Sequence, residues 1–158
     1  MNQKYNPKMN FFIFVNSDSF DLDDNRVRSH KIASYRLANK TYPLYHKTRL
    51  KKYLKSNDAF IFYLAGSQTS KTKRFIAHGR IQSIEKPKSY SEDDIHLSRP
   101  IEQVVILKSI VNNKSLCIYK VKDRLSFVTK KKKWGPSMQG GIIKITKEDY
   151  NLIINEMS

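Results

Sequence analysis

Apolar residues along this chain gather in short dense runs rather than in long helical periods. Phe11 to Val15 is an unbroken aromatic and β-branched run, and Ala59 to Leu64 is a second. Runs of this composition and length predict buried strands. Phe75 to Ile84 predicts a third strand, in which Gly79 marks a bulge or a close backbone approach. Gln103 to Ile110 and Leu116 to Val121 read as two further strands joined at Asn112-Asn113, a hairpin turn. Gly140-Gly141 precedes a last strand, Ile142 to Ile145. Thr146, with an acidic residue three positions on, resembles a capping box. It opens a helix over Lys147 to Glu156 whose Tyr150, Ile153 and Ile154 face the core.

The intervening stretches are polar or aperiodic. Asn16 to Asn25 reads as a loop, and Arg26 to Tyr45 shows no clean period. Leu44, Leu50, Tyr53 and Leu54 fit a short helix ended by the turn residues Ser56-Asn57-Asp58. Gly66 to Thr72 is a polar connector, and Lys86 to Pro100 is a polar linker with two prolines. About six strands with two or three short helices predict an α+β, barrel-like domain. The 158 residues suit a single domain spanning 1–158, with 1–10 as a flexible tail. A chain of this length buries a core without disulfides or a structural metal.

Charge narrows the partner. Lys and Arg total 30 against 14 Asp and Glu, a formal net charge of +16. Self-repulsion at that charge opposes compaction, and a polyanion is the simplest partner that repays it, through counterion release. A basic surface serving only solubility is the plainer reading. An anionic membrane fits less well, because no long basic amphipathic helix is visible. No signal-peptide core or membrane-spanning run is present, so the expected location is cytoplasmic. The single cysteine, Cys117, excludes an internal disulfide and a cysteine-based zinc site, and suits core filling.

Three basic clusters interleave with aromatics: Lys47, Arg49, Lys51, Lys52 and Lys55; Lys71, Lys73 and Arg74; and Lys130 to Lys133 running into Trp134. Tyr35, Tyr42 and Tyr45 fall in the aperiodic segment. Cations beside aromatic faces suit a splayed or single-stranded base. Any one cluster is equally a solvated face. The acidic groups Asp18, Asp21, Asp23 and Asp24, and Glu92, Asp93 and Asp94 with His96, are local rather than convergent, which is not the arrangement of a two-metal centre. Gly-rich phosphate loops and nucleophile elbows are absent. The expectation is a protein without catalysis, cofactor or metal.

Lys55 to Tyr63, Phe75 to Ile81, and the C-terminal series Leu125-Ser126-Phe127-Val128, Lys133-Trp134-Gly135 and Gly141 to Tyr150 resemble the EVE-domain family of the PUA-like superfamily, related to YTH domains. Asn57 stands where that family usually has Gly, and Asp18 to Tyr45 does not align. Lys88 to His96 reads like a YTH signature, but lies mid-chain rather than after the first strand, and is given no pocket role. The resemblance implies a PUA-like curved β-barrel that accepts one flipped, modified base. It implies Asn16 and Ser17 as readers of the base edge, Tyr35 and Trp134 as walls, and Tyr63 and His78 as floor. Lys51, Lys52, Lys55, Lys73, Arg74, Lys131, Lys132 and Lys133 would hold the backbone phosphates. The expected partner is modified DNA or RNA, bound by a monomer acting alone or within a restriction or RNA-processing complex. A general RNA-binding accessory without modified-base preference is the alternative. A metal-dependent nuclease using Asp23, Asp24 or His96 is the third.

Overall fold

The computed structural model describes residues 8–68, 70–87 and 97–158. Its centre is two adjacent parallel strands, β1 (Phe11–Asn16) and β5 (Ala59–Leu64), every residue of which is buried. These are the two densest apolar runs in the chain, as burial on both faces requires. Side chains alternate across them. Phe11, Ile13, Val15, Ala59, Ile61 and Tyr63 point into one core cluster. Phe12, Phe14, Phe60, Phe62 and Leu64 point into another.

A parallel pair needs a crossover, and the stretch between Asn16 and Ala59 supplies it. It contains a two-stranded hairpin, β2 (Ser19–Phe20) with β3 (Arg26–Val27), a helix α1 (Ser29–Asn39), and β4 (Thr41–Tyr45). The segment Asn16 to Asn25 is therefore not wholly loop. The helix hides from pattern reading because its buried stripe of Ser29, Ile32, Ala33 and Arg36 is half polar. The helix expected around Leu50 and Tyr53 is a single 3-10 turn, Lys51–Tyr53, while Leu44 belongs to β4.

The sheet runs β4-β7-β6-β5-β1-β9, with β6 (Arg74–Glu85), β7 (Ile101–Val111) and β9 (Ile142–Ile145). It curls into a half-barrel whose ends, β4 and β9, do not pair with each other. Together with two helices this is the α+β architecture the strand count predicts. The expected β7 hairpin is corrected: β8 (Leu116–Cys117) pairs with β6 at Arg74 and Phe75, and 3-10 turns follow it. At Gly79 a β-carbon would stand 2.8 Å from the Lys108 carbonyl and 2.9 Å from the Phe60 ring, so the close approach is real. Asn57 has φ 72°, a left-handed conformation that Asn tolerates in place of Gly.

The C-terminal helix α2 (Lys147–Glu156) is capped by Thr146, whose hydroxyl accepts from the Asp149 amide at 3.1 Å. Only half of a capping box forms. The buried Asp149 carboxylate turns instead to the amide and hydroxyl of Ser126, tying the helix to the segment that covers the first cluster. No helix among the described residues is long and apolar enough to cross a membrane.

Candidate nucleic-acid interface

A cavity of about 370 Å³ opens where β1 ends. Its walls come from the turn after β1 (Ser17, Asp18, Ser19), from β4 and the loop after it (Tyr42, Tyr45, Lys47, Thr48, Arg49), and from Leu97, Arg99, Gly140 and Gly141. The volume lies within the range of about 300–1,000 Å³ typical of small-molecule sites.

The local sequence builds this site from beneath. Tyr42 stacks on Phe14 with centroids 4.5 Å apart, and its hydroxyl donates to the Val15 carbonyl at 2.7 Å. That bond closes β4 over the end of β1. The Gly141 carbonyl accepts from the Val15 amide, bringing the strand before α2 to the same rim. The Arg36 guanidinium projects into the cavity wall from α1, 5% exposed. Its Nη1 donates to Asn16 Oδ1 at 2.9 Å, its Nη2 to the Tyr45 hydroxyl at 3.2 Å, and its plane lies 5.1 Å over Tyr42. Hydrogen bonds and an aromatic face are what a buried guanidinium needs to remain there.

Among the described residues Asp18 is the one carboxylate on the wall, and both of its oxygens are engaged. Oδ1 accepts from the Ser29 amide at 2.8 Å, satisfying the first turn of α1, and Oδ2 takes Arg28 at 3.0 Å and Arg26 at 3.4 Å. Lys47, Arg49 and Arg99 are exposed at the mouth. The Arg99 guanidinium stacks 3.8 Å above the Tyr45 ring. Among the described residues the mouth therefore sets cations around an aromatic side chain.

Of the expected pocket residues, the structure brings only Ser17 to this cavity, where it is exposed. Asn16 is wholly buried and off the cavity wall, its amide donating to the Phe14 and Tyr63 carbonyls, which braces the strand end. Tyr63 is 1% exposed in the cluster on the other face of the sheet, and burial pushes its phenol well above the ordinary range. Trp134 packs against that same cluster. His78 pairs with Ile61 and Val111 inside the sheet. Tyr35 is half-buried on α1, off the cavity wall. A sheet separates these side chains because successive residues of a strand point to opposite faces.

The expected phosphate contacts divide similarly. Lys51 spends its ammonium on the Tyr45 and His46 carbonyls and on Glu102, fixing the loop that carries Lys47 and Arg49. Lys55 binds Asp58 and the Lys8 carbonyl. Lys131 turns inward to the Leu125 carbonyl at 2.8 Å. In the structure these three ammonium groups are engaged by the protein's own carbonyl and carboxylate oxygens. Arg74 donates to Ser115, and Lys73 sits at φ 59° with its backbone bonded to Leu64 and Ile118. Lys52 lies over the Tyr53 ring, while Lys132 and Lys133 are exposed.

Arg36 and Arg99 were invisible as site residues. Arg36 had one signal, a cation on the buried stripe Ile32, Ala33 and Arg36 of a helix. Among the described residues no three His, Cys, Asp or Glu side chains gather as metal ligands. Asp21 Oδ1 caps the amides of Asp23 and Asn25 within the hairpin. Glu92, Asp93, Asp94 and His96 lie outside the described residues, as does the Lys88 to His96 stretch.

No family model and no curated protein sequence matches the chain. Its fold is similar to the YTH domain of Zygosaccharomyces rouxii MRB1, a structure solved in complex with N6-methyladenosine RNA. The TM-score is 0.55 at 10% identity, covering 94% of this chain and 86% of that one. Protein Atu2648 from Agrobacterium tumefaciens is similar at TM-score 0.50 and 12% identity, covering 92% of this chain and 91% of that one. At these identities the likeness is one of fold.

Proposed function

We propose that this YTH-like fold is a non-catalytic nucleic-acid reader that takes one flipped, modified base into the cavity at the end of β1. The observation that carries the reading is that cavity, ringed by Lys47, Arg49 and Arg99 around Tyr45 and floored by Tyr42 and Arg36. The MRB1 YTH domain, bound to N6-methyladenosine RNA, supports the choice of a methylated base and of RNA. The EVE-like motifs in the C-terminal third support the same class of ligand.

Flipping costs a few kcal/mol of unstacking. A base that stacks on Tyr45, displacing Arg99 or lying against it, recovers roughly 1–3 kcal/mol. The hydroxyls of Ser17, Ser19 and Thr48 offer donors and acceptors for the base edge. Lys47, Arg49 and Arg99 hold the flanking phosphates without reading sequence.

The test is a binding panel of short oligonucleotides, each with one N6-methyladenosine, one 5-methylcytosine or no modification, as RNA and as DNA. A preference for one modified strand that Tyr45→Ala abolishes supports the reading. Equal affinity across the panel would instead make this a general RNA-binding accessory. The guanidinium already covering Tyr45 favours that second reading.

A further inference from the structure

Tyr119 stands 54% exposed on the turn that follows β8. Trp134 meets it edge-on, ring centroids 5.4 Å apart and planes at 89°. The indole is anchored behind by the core cluster that holds Val128 and Met138, and it is absent from the cavity wall. The two segments are stapled together: Lys122 Nζ donates to the Lys131 carbonyl at 2.9 Å, and Lys131 Nζ reaches back to the Lys122 carbonyl at 3.4 Å.

The staple sorts the local cations. Lys131 faces inward, Lys122 pairs with Asp123 and Arg124 pairs with Glu156. Lys120, Lys130, Lys132 and Lys133 are left in solvent. Asp123, already paired, is the one carboxylate between Ile118 and Trp134. A pre-positioned aromatic pair amid lysines that form no ion pair among the described residues has the two parts of a single-strand binding surface, a stacking face and a charge that follows the backbone.

We propose that Tyr119 and Trp134, with Lys120, Lys130, Lys132 and Lys133, form a second contact for single-stranded nucleic acid, separate from the base cavity and indifferent to modification. One base stacks on the open Tyr119 ring while the lysines meet phosphates. Holding the Trp134 ring in the core beforehand lowers the ordering cost of binding.

Trp134 is the sole tryptophan of the chain, so its emission reports this surface alone. The probe is an unmodified oligouridylate of roughly 10 nucleotides, titrated into the intact protein while its own anisotropy is followed. Saturable quenching of Trp134 that tracks the anisotropy is expected. Tyr119→Ala weakens binding roughly 5- to 140-fold, the equivalent of one stacked base. It leaves the preference among modified bases as in the wild type. The exposed pair Lys132→Gln with Lys133→Gln lowers the salt slope by about 0.7 for each phosphate no longer neutralised. Binding without quenching, no binding, or wild-type binding by both variants would each overturn the proposal. An anionic peptide that quenches Trp134 as strongly as the oligouridylate would also overturn it.

Discussion

Asn16 Oδ1 accepts a hydrogen bond from Arg36 Nη1 at 2.9 Å, and both side chains are buried. The bond joins the last residue of the central strand to the crossover helix. It places a positive charge in the wall of the cavity, and it makes Ser17 the first residue after the strand whose side chain meets solvent.

Asn16 therefore acts as a brace. Replacing it with Ala removes the acceptor for Arg36 and the donor to the Phe14 and Tyr63 carbonyls. The expected loss is about 1–3 kcal/mol of folding stability, read from urea unfolding. A base-reading Asn16 would instead lose affinity with stability intact.

The mouth of the cavity makes a separate prediction. Lys47→Gln and Arg49→Gln should weaken binding of every oligonucleotide alike, and each should flatten the salt dependence by about 0.7 for a single strand. Preference among bases should stay as in the wild type. Affinity measured at several salt concentrations checks this, and a change in base preference would move these residues from the rim into the pocket.

Gly79→Ala should destabilise the sheet by about 1–3 kcal/mol. The new methyl would press on the Lys108 carbonyl backbone and the Phe60 ring at under 3 Å. Neither neighbour has slack, since one is strand backbone and the other is wholly buried. Thermal unfolding measures the cost.

His78 makes stability depend on pH. Burial first, and then the Lys114 ammonium, hold its imidazole below the ordinary 6.5. The unfolded chain therefore binds the proton more readily than the folded one. The stability this gives is present above pH 6.5 and is lost as the pH falls through the folded-state value. Urea midpoints at neutral and mildly acidic pH should converge in His78→Gln and separate in the wild type.

Elements whose residues agree with one another locally were readable from the chain alone. Phe11 to Val15 and Ala59 to Leu64 read as buried strands, and the structure buries both faces of each. Thr146 has a single sensible use at the start of α2, and Gly79 announced a crowded neighbour. The crossover was not readable, because Arg36 occupies a core position of α1 on account of partners at Asn16 and Tyr45, distant in sequence. The face that carries Trp134 was not readable either: its ring packs on the cluster opposite the cavity that Ser17 lines. The lysine runs showed charge but not direction, and the fold turned Lys51, Lys55 and Lys131 to carbonyl groups. A sequence determines what each segment prefers to bury, since that depends on its own side chains. Which polar groups meet is a matter of which face each strand presents and which carbonyls lie within reach, and only the folded sheet decides that.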